Sequence, residues 1–152
     1  FHEESKEFEL GRFSLQCGRR NDALKLWLAW REIGDSGWAK IVENYCNLAK
    51  YLEDKIGQSS QLEMMSDRQW SNVCFRFVGD SNVMDLNVLN SQIRERLFKE
   101  GKYLVSRSNI GENVILRPVI ANPLTTSEVI DGFLERVVHH GNEIISGIPA
   151  NQ

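Results

Sequence analysis

Apolar positions fall at helical spacing in four stretches of the chain and alternate in four others. Ala23, Leu24, Trp27 and Leu28 make one helical stripe, with Trp30 and Ile33 beside it, and Asn21 or Asp22 can cap its start. Gly34 ends that helix, and Asp35-Ser36-Gly37 restarts a longer one over Trp38–Ile56. Ile41, Tyr45, Leu48, Ala49, Leu52 and Ile56 mark its buried face. Alternation then takes over in Leu62-Glu63-Met64 and, more clearly, in Val73–Val78, where Val73, Phe75 and Phe77 share a face. Leu86, Leu89, Ile93 and Leu97 return to helical spacing. Tyr103–Arg107 and Val114–Ala121 read as two strands joined by a turn-rich Ser108–Asn113. Thr125-Thr126-Ser127-Glu128 fits a capping box ahead of a last helix built on Val129, Ile130, Phe133, Leu134 and Val137.

The predicted order is therefore α-α-β-β-α-β-β-α. Its last six elements make an α+β layer, a mainly antiparallel sheet with helices on one face, preceded by two connecting helices. Residues 1–16 carry early charges and no clear period, and read as an extended or loosely packed lead-in; 147–152 read as a frayed tail.

Composition narrows the function classes. With 18 Lys+Arg against 21 Asp+Glu, the net charge of −3 does not suggest a nucleic-acid binder. The longest apolar run, Leu26–Trp30, is far short of the roughly 20 residues of a membrane span. No basic segment followed by an apolar one marks a secretory signal, so a cytoplasmic location is expected. A chain beginning at Phe1 is expected to be a fragment or a processed product. Cys17, Cys46 and Cys74 are too far apart for a metal knuckle and odd in number, so reduced thiols are expected. His139 and His140 are adjacent, which suits a surface pair better than a chelate, and no metal site is expected.

Two places carry candidate chemistry. Cys17-Gly18-Arg19-Arg20 sets two arginines at a helix entry, where positive charge is disfavoured. They are either a surface basic pair or a site for an anion from another segment. Arg117 lies inside the apolar run Val114–Ile120 and shares a face with Ile115 and Val119. A guanidinium there must reach solvent or a partner. It is either a carboxylate grip, for which its planar fork is well shaped, or a snorkelling residue of an edge strand, which Pro118 would suit.

These two segments resemble the group II pyridoxal-phosphate-dependent decarboxylases, which act on glutamate, cysteine sulfinate, aromatic amino acids and diaminobutyrate. Cys17-Gly18-Arg19-Arg20, Asp22 and Leu24–Leu28 look like the segment after the family's catalytic loop. Leu116–Pro123 with Thr125-Thr126 looks like the final strand and turn of the glutamate and cysteine-sulfinate branch. The two motifs stand in family order, and the resemblance runs from residue 8 to 146.

The resemblance implies a C-terminal portion of a fold type I enzyme. Residues 1–34 would end the large cofactor-binding domain, 35–57 would form a connecting helix, and 58–152 the small domain over the active site. It implies pyridoxal phosphate as cofactor, a homodimer of the complete enzyme, and decarboxylation of an amino acid, glutamate-like by branch. Arg117 matches the arginine that binds the substrate α-carboxylate, while Cys17, Gly18 and Arg19 match a segment near the cofactor. The family's cofactor lysine follows a histidine, and none of the seven lysines here does, so the Schiff-base lysine is expected upstream and no catalytic residue in this chain. The competing reading is a non-catalytic α+β binding or regulatory module, or an inactive homologue.

The tryptophan-rich first helices need a covering layer, so the chain alone should be prone to aggregation. The upstream part of the same enzyme should accompany it as a companion chain. Mass spectrometry of the native assembly should detect that second polypeptide; finding this chain alone counts against the expectation.

Overall fold

The computed structural model describes residues 20–79 and 84–147. The elements are α1 (Asp22–Gln58), β1 (Leu62–Met64), β2 (Phe75–Phe77), α2 (Leu86–Glu100), β3 (Ser106–Ile110), β4 (Asn113–Arg117) and α3 (Ser127–Ile145). The chain divides into two units, residues 1–39 and 40–152.

In the first unit, Asn21 accepts from the Leu24 amide at 3.1 Å and starts the helix. Gly34 ends one helix, as expected, and a second runs on directly from it within α1: its φ of 70° and ψ of 169° are non-helical and suit glycine. The expected gap at Asp35–Gly37 is absent. Trp30 stacks on Trp38 at 5.7 Å and donates its indole N–H to Asp35 at 2.6 Å. Leu26, Trp27 and Leu28 remain more than half exposed. The extended lead-in expected for residues 1–16, and most of the 147–152 tail, lie outside the described residues.

The second unit is an α+β layer around one four-stranded antiparallel sheet in the order β1-β2-β4-β3. Phe75, Phe77, Val73 and Leu116 turn one sheet face to Leu89, Ile93 and Leu97 of α2 and to Ile130, Phe133, Leu134 and Val137 of α3. Ala49, Leu52 and Ile56 of α1 join this core at helical spacing.

Three boundaries differ from the pattern reading. β3 spans Ser106–Ile110 rather than Tyr103–Arg107, and the turn is only Gly111-Glu112. The polar Ser108-Asn109 pair looks like loop, yet β3 is an edge strand whose sequence need not be apolar. β2 and β4 are shorter than expected, although pairing continues past them. Thr126 is the N-cap of α3 but makes no side-chain capping bond. The expected box is replaced by Glu128, whose carboxyl lies below its usual range because Thr126 and its own backbone N–H bond to it.

β2 and β4 pair at Phe75–Leu116, and Val73 N–H continues the register by donating to Pro118 O. In the other direction the strands part, and α2 fills the split. Asn90 is wholly buried; its Oδ1 accepts from Phe77 N–H at 2.8 Å and its Nδ2 donates to Phe77 O at 2.9 Å. Asn87 Oδ1 accepts from Val114 N–H at 2.8 Å, and its Nδ2 donates to Glu112 O at 3.0 Å. The Phe77 ring lies between two glycines. A Cβ at Gly79 or Gly141 would come within 2.6 Å of it.

Charged groups tie the helices across the top of this core. His140 is buried, not a surface residue as adjacency to His139 suggested: Phe77 and Gly141 draw that turn of α3 inward. His140 Nε2 lies 3.0 Å from Glu100 of α2, which also meets Arg136 at 3.0 Å. Burial disfavours the Glu100 carboxylate most, but hydrogen bonds from His140 and Arg136 and the arginine's charge outweigh it and hold the carboxyl below its usual range. Asp131 of α3 accepts from Tyr51 Oη at 2.8 Å and pairs with Lys55 Nζ at 3.0 Å. The Tyr51 bond, then that of Lys55, lower its carboxyl in the same way.

Two outcomes follow from these contacts. Asn90→Leu strands the Phe77 N–H and C=O without partners and should cost about 3–5 kcal/mol of stability, read by urea unfolding. Both depressed carboxyls stabilise the fold fully above their unfolded values. That contribution is lost as pH falls from about 4.5 for Glu100 and 3.8 for Asp131 through the lower folded values. Glu100→Gln should therefore flatten the acid limb of the stability curve, measured by circular dichroism at stepped pH.

Candidate functional site

Arg117 is the last residue of β4, an interior strand between β2 and β3. This overturns the edge-strand reading that Pro118 invited. Proline is tolerated because it removes only half of one rung: Val73 donates to Pro118 O at 3.2 Å, and the reciprocal bond has no donor. On its other side, ladder pairing with β3 has already stopped at Ser106–Arg117.

Alternation fixes which way Arg117 points. Leu116 faces Phe75 and the helices, so Arg117 takes the opposite sheet face with Ile115 and Val119. Ser106 of β3 is its paired neighbour, and the β2–β4 register sets Cys74 on its other flank. Arg117 is exposed and, among the described residues, makes no hydrogen bond or ion pair.

The contrast with Arg76 on the same face is chemical. Arg76 meets Glu63 Oε2 through Nε and Nη2, both at 2.7 Å, and Asn113 Oδ1 through Nη1 at 3.0 Å. Its fork is occupied. The register sets Ile115 opposite it, and Ile115 is buried although it faces away from the helices. An unoccupied guanidinium on a rigid interior strand can receive a carboxylate along both arms.

The surroundings of Arg117 are apolar towards the end of the sheet. Val119, on the Arg117 face by alternation, is 53% exposed, and Leu104, ahead of β3, is 80% exposed. A cavity of about 280 Å³ at this end is lined largely from the helix side, by Leu52, Tyr103, Ile130 and Phe133 with Pro118 and Val119, and Arg117 is not among its walls. A larger hollow, about 970 Å³, lies instead between α2 and β3 beside Arg94, Phe98 and Arg107. Arg117 does not line it.

One residue at this end is not singled out by the sequence pattern. Trp70 is 75% exposed and sits at φ 56°. It occupies the tip of the β1–β2 connection, which Gln69 and Asn72 close through two backbone bonds of 3.1 and 2.9 Å. The available signal was weak: Gln-Trp-Ser-Asn holds no glycine to announce a left-handed turn.

Of the remaining expected site residues, Cys17, Gly18 and Arg19 lie outside the described residues, and Arg20 is exposed. Cys46 and Cys74 are free thiols. No helix among the described residues is long and apolar enough to cross a membrane.

Comparison with known proteins agrees with the family resemblance. The family described as the pyridoxal-dependent decarboxylase conserved domain matches residues 2–78. Cysteine sulfinic acid decarboxylase of Homo sapiens is 31% identical over 140 residues, covering 86% of this chain and 28% of that protein. Acidic amino acid decarboxylase GADL1 of Homo sapiens is 26% identical over 140 residues, covering 86% and 27%. The crystal structure of mouse CSAD superposes with a TM-score of 0.79 at 28% identity, covering 91% of this chain and 32% of that one. The chain thus spans little more than a quarter of the length of these curated relatives.

Proposed function

Since the chain belongs to the pyridoxal-dependent decarboxylases, we propose that it is the C-terminal part of an amino-acid decarboxylase. In this reading it closes the active site and binds the substrate's α-carboxylate through Arg117. The observation that carries the reading is the exposed guanidinium, without a partner among the described residues, on an interior strand whose neighbour Arg76 is fully paired. Residues 58–152 then act as the small domain. The relatives' names support, as the substrate of this reading, an amino acid with a second acidic group, as in cysteine sulfinic acid.

Pyridoxal phosphate is the cofactor of this reading, and none of the described lysines is assigned as its covalent anchor. Such a cofactor is bound covalently through a lysine amine. Lys25, Lys40, Lys50 and Lys55 lie on α1, Lys99 on α2 and Lys102 just beyond it. Because none of the seven lysines follows a histidine, the cofactor-bearing lysine and the bond-breaking chemistry are assigned to the upstream part of the enzyme, and Cys17, Gly18 and Arg19 to the segment of this chain near the cofactor.

What this chain contributes is orientation. Two parallel N–H···O bonds from a planar fork fix the plane of a carboxylate and hence the direction of the bond joining it to the α-carbon. A fixed direction removes rotational freedom before reaction. Tight ground-state binding of the same group would only lower KM, so the useful part of the grip is geometric. The interior position suits this task, because β2 and β3 on either side hold the Arg117 backbone still.

In the complete enzyme, Arg117→Lys keeps the charge and loses the fork. It should lower kcat/KM roughly ten- to a hundredfold, the equivalent of about 1.5–3 kcal/mol in a hydrogen bond to a charged group. Arg117→Met should cost more. The cofactor's visible absorbance should stay unchanged in both. Near-normal kcat/KM in Arg117→Met, or lost cofactor binding in a folded variant, overturns the assignment.

A further inference from the structure

Trp70 is the one non-glycine residue at positive φ among the described residues. For a bulky aromatic this conformation is a true outlier and needs something to enforce it. Packing of the ring cannot be the cause, since 75% of the residue is exposed. The backbone is clamped instead. Arg68 Nη1 donates to Trp70 O at 3.0 Å, and Arg68 Nε is itself pinned by Glu53 of α1 at 2.8 Å. The reciprocal Gln69–Asn72 bonds close the turn on either side.

The clamped tip also runs along β4. Ile120 N–H donates to Ser71 O at 3.0 Å, and Asn72 bridges Val119. Arg117 lies two residues back from Val119 on the same face. The strained backbone of Trp70 therefore lies beside the continuation of β4, at the end of the sheet where Arg117 stands without a partner among the described residues. A fold that spends stability to hold an indole in water gains nothing from it unless the ring meets something that arrives later.

We infer that Trp70 is a specificity-determining residue of the substrate site: an aromatic wall on which the side-chain methylenes of an acidic amino acid pack while Arg117 holds the α-carboxylate. The inference rests on the Arg117 reading given above. Indole offers a flat apolar face to methylenes beside a polar group, with few rotors to freeze.

The strain supplies a test that a structural residue would fail. Glycine adopts positive φ without penalty. In the complete, cofactor-loaded enzyme, Trp70→Gly should keep or raise Tm while raising KM roughly three- to tenfold, with kcat within twofold. L-glutamate and L-cysteine sulfinate serve as probe substrates. Trp70→Phe should restore most of the affinity, because it returns an aromatic face. A Trp70→Gly enzyme with KM within twofold of the parent, or with a lowered Tm, overturns the inference. If Arg117→Met loses turnover while Trp70→Gly does not change KM, only the Trp70 assignment falls. If neither variant changes kcat/KM, or the parent decarboxylates neither probe, the reading of Arg117 falls and takes this one with it.

Discussion

Two asparagine side chains of α2 take the place of a rung that β2 and β4 do not make. Register would pair Phe77 with Val114, but Asn90 receives the N–H and supplies the donor for the C=O of Phe77, and Asn87 receives the N–H of Val114. The sheet therefore opens like a zip at one end and stays closed at the other, around Phe75–Leu116 and Val73–Pro118. Buried backbone groups must find partners, and here the partners come from a helix. The position of α2 over the sheet is set by hydrogen-bond geometry as well as by apolar contact. Everything that touches α2, including the Glu100–His140 link to α3, inherits that placement.

The closed end is where Arg117 projects. Its neighbours on both sides are strands, its own strand is interior, and the following proline interrupts only one bond of one pair. A side chain at such a place has a well-defined origin and a free tip. Arg76, two rungs away on β2, shows the alternative fate of a cation on this face: a carboxylate and an amide use up its fork.

Much of this was legible in the chain itself. Helical spacing located the buried faces of α2 and α3, and alternation found Phe75 and Phe77. The motifs around Cys17–Arg20 and Arg117–Pro123 pointed to the decarboxylase family. The missed features have a common physical cause: they depend on partners distant in sequence. Pro118 reads as an edge signal unless Val73 is known to supply the donor. Ser108-Asn109 reads as a loop unless β4 is beside it. His140 reads as surface unless Phe77 is known to pull on Gly141. Asn90 sits on a helix like any polar residue, and only the stranded amide of Phe77 explains it. Trp70 carries no local mark of its left-handed backbone because its clamp, Glu53 through Arg68, is borrowed from α1.

The packing of Phe77 between Gly79 and Gly141 binds three positions into one evolutionary unit. A Cβ at either glycine would meet the ring at 2.6 Å, so neither site can drift to alanine while the phenyl group is present. At position 141 alanine would otherwise be welcome, since helix propensity favours it. Among descendants of this sequence, larger residues at 79 or 141 should be found only in company with a smaller one at 77. The three columns should covary although they lie on a strand, a turn and a helix. Such a triplet is a signature by which the β2–α3 packing of this branch can be traced through sequences alone.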